Sequence, residues 1–218
     1  MKEVIDAFIR CYFRPPVESG IKTPLETGTW MGVPFYQFIL DAFNIAEIIY
    51  ETRPSVIIEC GSYAGGSALF WTSVMDVSNI PGIVIAIDKR PEPVRKQRLW
   101  KQRVRWISGN SISPDVLKKC ASLISPGSKV MVILDSCHFF DHVRAEMEIY
   151  GNLVTHGQYM IVEDGIINGH PILPRHGPGP LEAVQDYLKT HPEFKVDTAR
   201  ENKYLATFNP MGYLRKIK

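Results

Sequence analysis

Cysteine is scarce and dispersed. Cys11, Cys60, Cys120 and Cys137 form no CxxC pair in the 218 residues. That excludes a zinc knuckle and argues against a disulfide frame, so reduced thiols in a cytoplasmic protein are expected. Charge of one sign is also lacking. The 25 Lys+Arg against 23 Asp+Glu leave a net +2, too little to demand a nucleic-acid partner. No apolar run reaches membrane-spanning length, and Lys2, Glu3, Asp6 and Arg10 break any signal-peptide core near the start. No membrane partner is therefore expected. The chain has no internal repeat, no HExxH or HxD metal motif and no GxGxxG, so a dinucleotide site is disfavoured. What remains is an ordinary globular composition, 45% hydrophobic and 22% charged, long enough for one layered domain.

Helical spacing of Val4, Ile5, Phe8, Ile9 and Tyr12 predicts a helix over residues 2 to 13. Residues 14 to 33, rich in Pro, Gly and Thr, read as an irregular arm. A second helix is expected to begin near Pro34 and stop before Pro54, burying Phe35, Phe38, Ile39, Ala42, Ile45, Ala46 and Ile49. Then the rhythm changes. "SVIIEC", "IVIAID", "VRWISGN", "KVMVILDS" and "YMIVEDG" are apolar runs separated by helical or polar segments. Runs without alternation fit parallel strands buried on both faces. "EFKVDTAR" and "YLATFNP" are expected to finish the sheet. The fold class is therefore α/β, a doubly wound Rossmann-like sheet, mostly parallel with an antiparallel final strand. Residues 1–50 are expected as a helical arm packed on a core domain of residues 51–218.

Ligands of such sheets bind at the carboxyl ends of the strands. Those tips carry Glu59 followed by Gly61, Gly65 and Gly66, then Asp88, then Gly109-Asn110-Ser111, then Asp135, then Glu163-Asp164. The glycine-rich "GSYAGG", with Ser62 in it and Ser67 just after, lets a ligand approach backbone amides at a helix start. Glu59-x-Gly61-x-x-x-Gly65 looks like the first motif of S-adenosylmethionine-dependent methyltransferases, although a plain strand-to-helix turn would have the same glycines. Asp88 stands at the next tip, where an acid can accept from both ribose hydroxyls.

Asp135, Glu163 and Asp164 should converge, because their strands should be neighbours. Three carboxylates repel one another unless a cation sits among them, and all-oxygen ligands favour magnesium. The bland alternative makes Asp135 a helix cap and Asp164-Gly165 a turn. His138 lies at the mouth of the same site and is placed for proton transfer. His142, one helical turn later, reads as structural. The basic run from Lys89 to Arg105 has eight Lys/Arg against Glu92 alone. It reads as a solvated face, with an acidic ligand as the alternative. The loop of residues 168–180 holds four prolines and three glycines and has the position of a lid.

"TWMGVPFYQ", "ETRPSVIIECGSYAGGSALFW", "ILDSCHFFDHVRAEMEIY", "YMIVEDGIINGHP", "GPGPLEAVQDYL" and "FNPMGYLRK" occur in that order. Together they resemble the cephalosporin hydroxylase and rhamnosyl O-methyltransferase family, related to macrolide-sugar O-methyltransferases, from about Trp30 onward. The resemblance implies a Rossmann-like enzyme using S-adenosylmethionine and magnesium. It implies metal ligands Asp135, Glu163 and Asp164 and a base, His138, with Asp135 shared between metal, cofactor and chemistry. Glu59, Gly61, Ser62, Gly65, Ser67, Asp88 and Ser111 would surround the cofactor. The family often has a proline shortly before the position of Asp41, where this chain has Phe38-Ile39-Leu40. No 2-His-1-carboxylate set accompanies the hydroxylase name, so no oxygen chemistry is expected. The expected function is methyl transfer to a hydroxyl of a sugar or glycosylated small molecule, in a homo-oligomer. An NAD-dependent oxidoreductase would leave the three carboxylates unexplained. A non-catalytic partner protein would bind cofactor without turnover.

Overall fold

The computed structural model describes residues 1–14, 22–93 and 95–218. Its centre is a seven-stranded sheet. Five strands run parallel: β3 (Val56–Cys60), β4 (Ile83–Asp88), β5 (Val104–Ser108), β6 (Val130–Leu134) and β7 (Tyr159–Val162). β8 (Phe194–Val196) and β9 (Tyr213–Lys216) complete it, in the order β5-β4-β3-β6-β7-β9-β8. The last strand in sequence, β9, is antiparallel to both β7 and β8. Every residue of β3, β6 and β7 is buried, which explains their unbroken apolar sequences.

Alternate residues feed two cores. Ile57, Met131 and Ile133 face α3 (Ile39–Thr52) and α4 (Gly66–Val77), meeting Ile45, Ile49, Leu69 and Trp71. Ile58, Val132 and Leu134 face the other way, towards Val116 of α6 (Pro114–Ser122), Met147 and Tyr150 of α7 (Phe140–Gly151) and Tyr187 of α8 (Pro180–Tyr187). Each fully buried Ile or Leu stabilises the fold by about 1.5–3 kcal/mol.

α1 spans Lys2–Phe13 as its spacing predicts, but buries only Ile9 fully. It belongs to a third cluster, in which Ile9 joins Phe38, Ile166, Ile167 and Phe208. The expected arm contains a short helix, α2 (Pro24–Thr27), closed by a Thr23–Glu26 capping box, and residues 15–21 of it lie outside the described part. The helix expected from Pro34 starts at Ile39 instead. Val33–Pro34 (β2) pairs with Thr29–Trp30 (β1) in a hairpin whose turn uses Met31 and Gly32 at positive φ. Pro34 also presses on the glycine loop: a Cβ at Gly66 would lie 2.0 Å from the Pro34 carbonyl oxygen. Ile39, expected inside, is 53% exposed, and Ile48 is buried in the core beside Ile45 and Ile49. α3 stops at Thr52, with Arg53 in the left-handed region, just before Pro54.

The final strand was expected in "YLATFNP" and lies further on, at Tyr213–Lys216. Asp41 of α3 prevents that stretch from extending. It accepts from Thr207 Oγ1 at 2.6 Å, the Phe208 amide at 2.6 Å and Tyr213 Oη at 2.8 Å. Burial pushes the Asp41 carboxyl up to about 6 against those three donors. The segment is thus bent around a helix side chain, with Leu205 at positive φ. Two short helices, α5 (Arg98–Arg103) and α9 (Thr198–Glu201), complete the described fold.

Candidate active site

A cleft of about 750 Å³ runs across the carboxyl ends of the parallel strands, a volume typical of small-molecule sites. Its floor follows the strand order. Glu163 and Asp164 come from the end of β7, Asp135 from β6, Gly61 from β3, Asp88 from β4 and Ser111 from β5. Tyr36, Gln37 and Phe38, just before α3, close one side.

The loop after β3 needs glycine for contact, not only for flexibility. Gly61 has φ +96°, and a Cβ there would lie 2.0 Å from the Asp135 carbonyl oxygen. This close approach brings the β3 and β6 tips together. Glu59 lies underneath, 1% exposed. Its carboxylate accepts from Ser62 Oγ and from Trp71 Nε1 at 2.6 Å, with Ser67 a third donor. Burial still pushes its pKa up. Glu59, Gly65 and Ser67 do not line the main cleft, whereas Ser62 and Ser67 line a small adjoining cavity with Gly61 and Asp135. Glu59 therefore acts on the cleft through the loop it holds.

Asp88 is buried at the floor with both oxygens engaged. The Tyr63 amide donates to Oδ2 at 2.8 Å and the Arg90 amide to Oδ1 at 2.8 Å. The Arg90 guanidinium stacks over the Tyr63 ring at 4.2 Å. Lys89 and Arg90 are the members of the basic run that reach the cleft. Arg98 and Arg103 pair with Asp76 and are not among the residues lining the cleft.

At the β6–β7 end, His138 Nε2 lies 3.3 Å from Asp135 Oδ1 and 3.3 Å from Asp164 Oδ2. Ligand atoms of Asp135, His138 and Asp164 all fall within 4.8 Å of one another, a spacing that could hold a metal ion. Gln37 Nε2 donates to the other Asp135 oxygen at 2.8 Å. Glu163 stands beside this group, 4% exposed, and its Oε1 has no hydrogen-bond partner among the described residues. Burial pushes Asp135, Glu163 and Asp164 all upward; repulsion by Asp164 adds to it at Asp135 and repulsion by Asp135 adds to it at Glu163, while His138 opposes it at Asp135 and Asp164. Burial would lower the His138 imidazole, but Asp164 and Asp135 outweigh it and carry its pKa up. A set of buried acids with one orphaned oxygen fits a cation. Asp164 holds its place by a left-handed φ of 60° and an amide bond to Asn209 Oδ1 at 3.1 Å.

Two polar groups of this cleft, Gln37 and Ser136, and one behind its wall, Glu146, escape the sequence. Gln37 lies between the second hairpin strand and α3, and only the "TWMGVPFYQ" segment pointed near it. Ser136 and Glu146 join Ser111 and His142 in a buried network between the β5 and β6 tips. The 168–180 loop contributes nothing to the cleft lining. It is fastened by Glu182, which accepts from Gly179 N at 2.8 Å, His170 Nε2 at 2.9 Å and Asn168 Nδ2 at 3.0 Å.

A doubly wound sheet with a glycine loop, an acid at the second tip and an acidic cluster across the cleft defines a Rossmann-like methyltransferase. Residues 23–217 match the family model for Rhamnosyl O-methyltransferase/CmcI. The chain belongs to that family, and its enzyme class is the S-adenosylmethionine-dependent O-methyltransferases. It is similar to a rhamnosyl O-methyltransferase of Mycobacterium leprae (strain TN), 39% identical over 195 residues, covering 87% of this chain and 83% of the relative. One from Mycobacterium bovis (strain BCG / Pasteur 1173P2) is 36% identical, covering 85% and 77%. Among solved structures, CmcI in its Mg–SAM form superposes with a TM-score of 0.71 at 20% identity, covering 96% of this chain and 84% of that one. The MycE methyltransferase from the mycinamycin biosynthetic pathway, in complex with Mg and SAH, gives 0.50 at 18% identity, covering 80% and 48%. At those identities the likeness is one of fold. No described helix is long and apolar enough to cross a membrane.

Proposed function

We propose that the protein moves the methyl group of S-adenosylmethionine to a hydroxyl of a sugar or glycosylated small molecule, with a magnesium ion held by Asp135, Glu163 and Asp164. The observation that carries this reading is the polarity of the cleft. One end gathers buried acids around His138, leaving Glu163 Oε1 without a partner among the described residues. The other end carries Asp88 beyond the glycine turn. The acceptor class is supported by the names of the rhamnosyl relatives.

In this reading the Gly61 turn lets the cofactor approach the backbone, and Asp88 accepts from its ribose hydroxyls. Glu59, Ser62 and Ser67 keep the loop in shape. When bound, magnesium supplies charge neutralisation and makes an acceptor hydroxyl more acidic. Gln37 fixes the rotamer of Asp135. His138 would receive the proton that leaves the acceptor oxygen once Asp135 and Asp164, the two acceptors facing its Nε2 without a cation, turn to a bound ion, and the sulfonium, already reactive, needs positioning above all.

The test is methyl transfer from S-adenosylmethionine to alkyl and aryl rhamnosides, before and after exhaustive chelation. Product methylated at a sugar hydroxyl, lost on chelation and restored by magnesium, is expected. Full turnover without divalent ions overturns the metal assignment. Absence of product across the glycosides overturns the acceptor class.

A further inference from the structure

A buried network between the β5 and β6 tips holds polar chemistry that the proposed mechanism does not use. Glu146, on α7, is 0% exposed. One of its oxygens, Oε1, accepts from Ser111 Oγ and from Ser136 Oγ at 2.7 Å, and His142 Nε2 lies 3.4 Å away. His142 Nε2 is also 3.2 Å from Ser111 Oγ. Ser111 stands at the tip of β5 and Ser136 just past the tip of β6, two strands that β4 and β3 separate. Glu146 therefore braces the cleft from beneath, and only His142 of α7 reaches its wall.

The hydrogen-bond inventory fixes which way His142 presents itself. A carboxylate oxygen can only accept. The single hydroxyl hydrogen of Ser111 is committed to Glu146, so Ser111 Oγ also offers His142 a lone pair. Both groups facing Nε2 are acceptors, and Nε2 must carry the ring hydrogen. In a neutral imidazole the other nitrogen, Nδ1, is then an acceptor. Nε2 points into the buried network, which leaves the Nδ1 edge for the cleft.

The strand order says what lies there. Asp88 is at the β4 tip, and β5 is the next strand away from the acidic cluster. A nucleoside whose ribose sits on Asp88 and whose sulfur end points toward Asp135 has its base at the β5 tip. We propose that His142, held by Glu146 and Ser111, reads the nucleobase of the cofactor by accepting a hydrogen bond from its exocyclic amine. This rests on the cofactor reading above. His142 is then a specificity residue touching the base, and Glu146 and Ser111 are positioning residues that set its tautomer. An adenine amine satisfies the Nδ1 lone pair. The carbonyl of hypoxanthine at the same position opposes it with a second acceptor.

Calorimetric titration with S-adenosylhomocysteine and S-inosylhomocysteine tests this. The wild type is expected to favour the adenine form by about tenfold or more, as one exchanged hydrogen bond implies. His142→Ala should bring the ratio within about threefold. His142→Asn places an amide oxygen where Nδ1 was and should keep most of the preference, which a merely structural histidine would not. Thermal melts of both variants identify any loss of fold, and if His142→Ala is unfolded the His142→Asn ratio decides. A wild type that binds both forms equally, or a His142→Ala protein with the wild-type ratio, overturns the assignment and leaves the cofactor reading intact. A wild type that binds neither form overturns both.

Discussion

Glu59 and Glu163 are the same residue type at the tips of two strands in one sheet, at 1% and 4% exposure. Glu59 is surrounded by donors: Ser62, Trp71 and Ser67. Glu163 has an oxygen with no partner among the described residues and two further acids beside it. Burial of a carboxylate is costly in either place. Where the chain supplies the donors itself, the acid serves the fold. Where it supplies more acid instead, the compensation comes from a bound proton or, in the reading proposed above, from a cation. The difference separates the loop-holding end of the cleft from its reactive end.

The largest expected effect lies at the reactive end. His138→Ala removes the only imidazole within reach of both Asp135 and Asp164 among the described residues. Turnover in a single-turnover methyl-transfer assay should fall by about 10²–10⁴, the usual contribution of a positioned base. Affinity for S-adenosylhomocysteine should stay near wild type. Near-normal turnover would move the base elsewhere and break the assignment of this end.

The comparison is sharpened by one substitution made twice. Glu59→Gln puts an amide where three donors converge and orphans at least one of them, a cost of about 1–3 kcal/mol. Its melting temperature should drop. Glu163→Gln removes a buried charge set beside Asp135 and Asp164, with Oε1 unpartnered among the described residues, so the metal-free protein should melt higher. The sign has a pH signature. The Glu163 carboxyl is raised in the fold by burial and then by Asp135, so the folded state holds that proton more tightly than the unfolded chain. Wild-type stability then falls as pH rises above the ordinary glutamate value of 4.5, and the Gln variant escapes that loss. Equal melting curves for wild type and Glu163→Gln across that range would show the two acids to be alike.

The smallest effect belongs to Glu182, an acid satisfied as Glu59 is but at the surface. Burial opposes ionisation, yet the Gly179 amide, His170 and Asn168 hold its carboxyl down at about 2. A depressed acid contributes stability that is present above 4.5 and is lost as pH falls through about 2. Wild type should melt above Glu182→Gln at neutral pH and the two curves should converge in strong acid, as followed by circular dichroism. A gap that persists at pH near 2 would mean that shape, not charge, fastens the 168–180 loop.

Much of this arrangement was legible as sequence, and for a physical reason. Strands buried on both faces must be apolar throughout, so a sudden acid after such a run marks a strand tip. Asp88, Asp135 and Glu163-Asp164 were found that way. The glycine after Glu59 was also readable, since a close turn excludes a side chain. The role of Glu59 was not. Its neighbours Ser62 and Ser67 are visible in the sequence, but Trp71 Nε1 reaches it only because α4 packs back on β3. Local spacing predicted helix from Pro34 and strand at 204–210. Both yielded to partners far along the chain: Thr29–Trp30 for the first and Asp41 for the second.

The sequence by itself determined the α/β sheet, the ends of its strands and the acids placed on them, because period, burial and turn chemistry act over a few residues. Tertiary structure alone decided which polar groups meet. Gln37 reaches Asp135 across 98 positions, and Glu146 gathers Ser111 and Ser136 from non-adjacent strands. Such meetings depend on how helices pack across the sheet, and no local pattern along the chain encodes a distance between side chains so far apart in sequence.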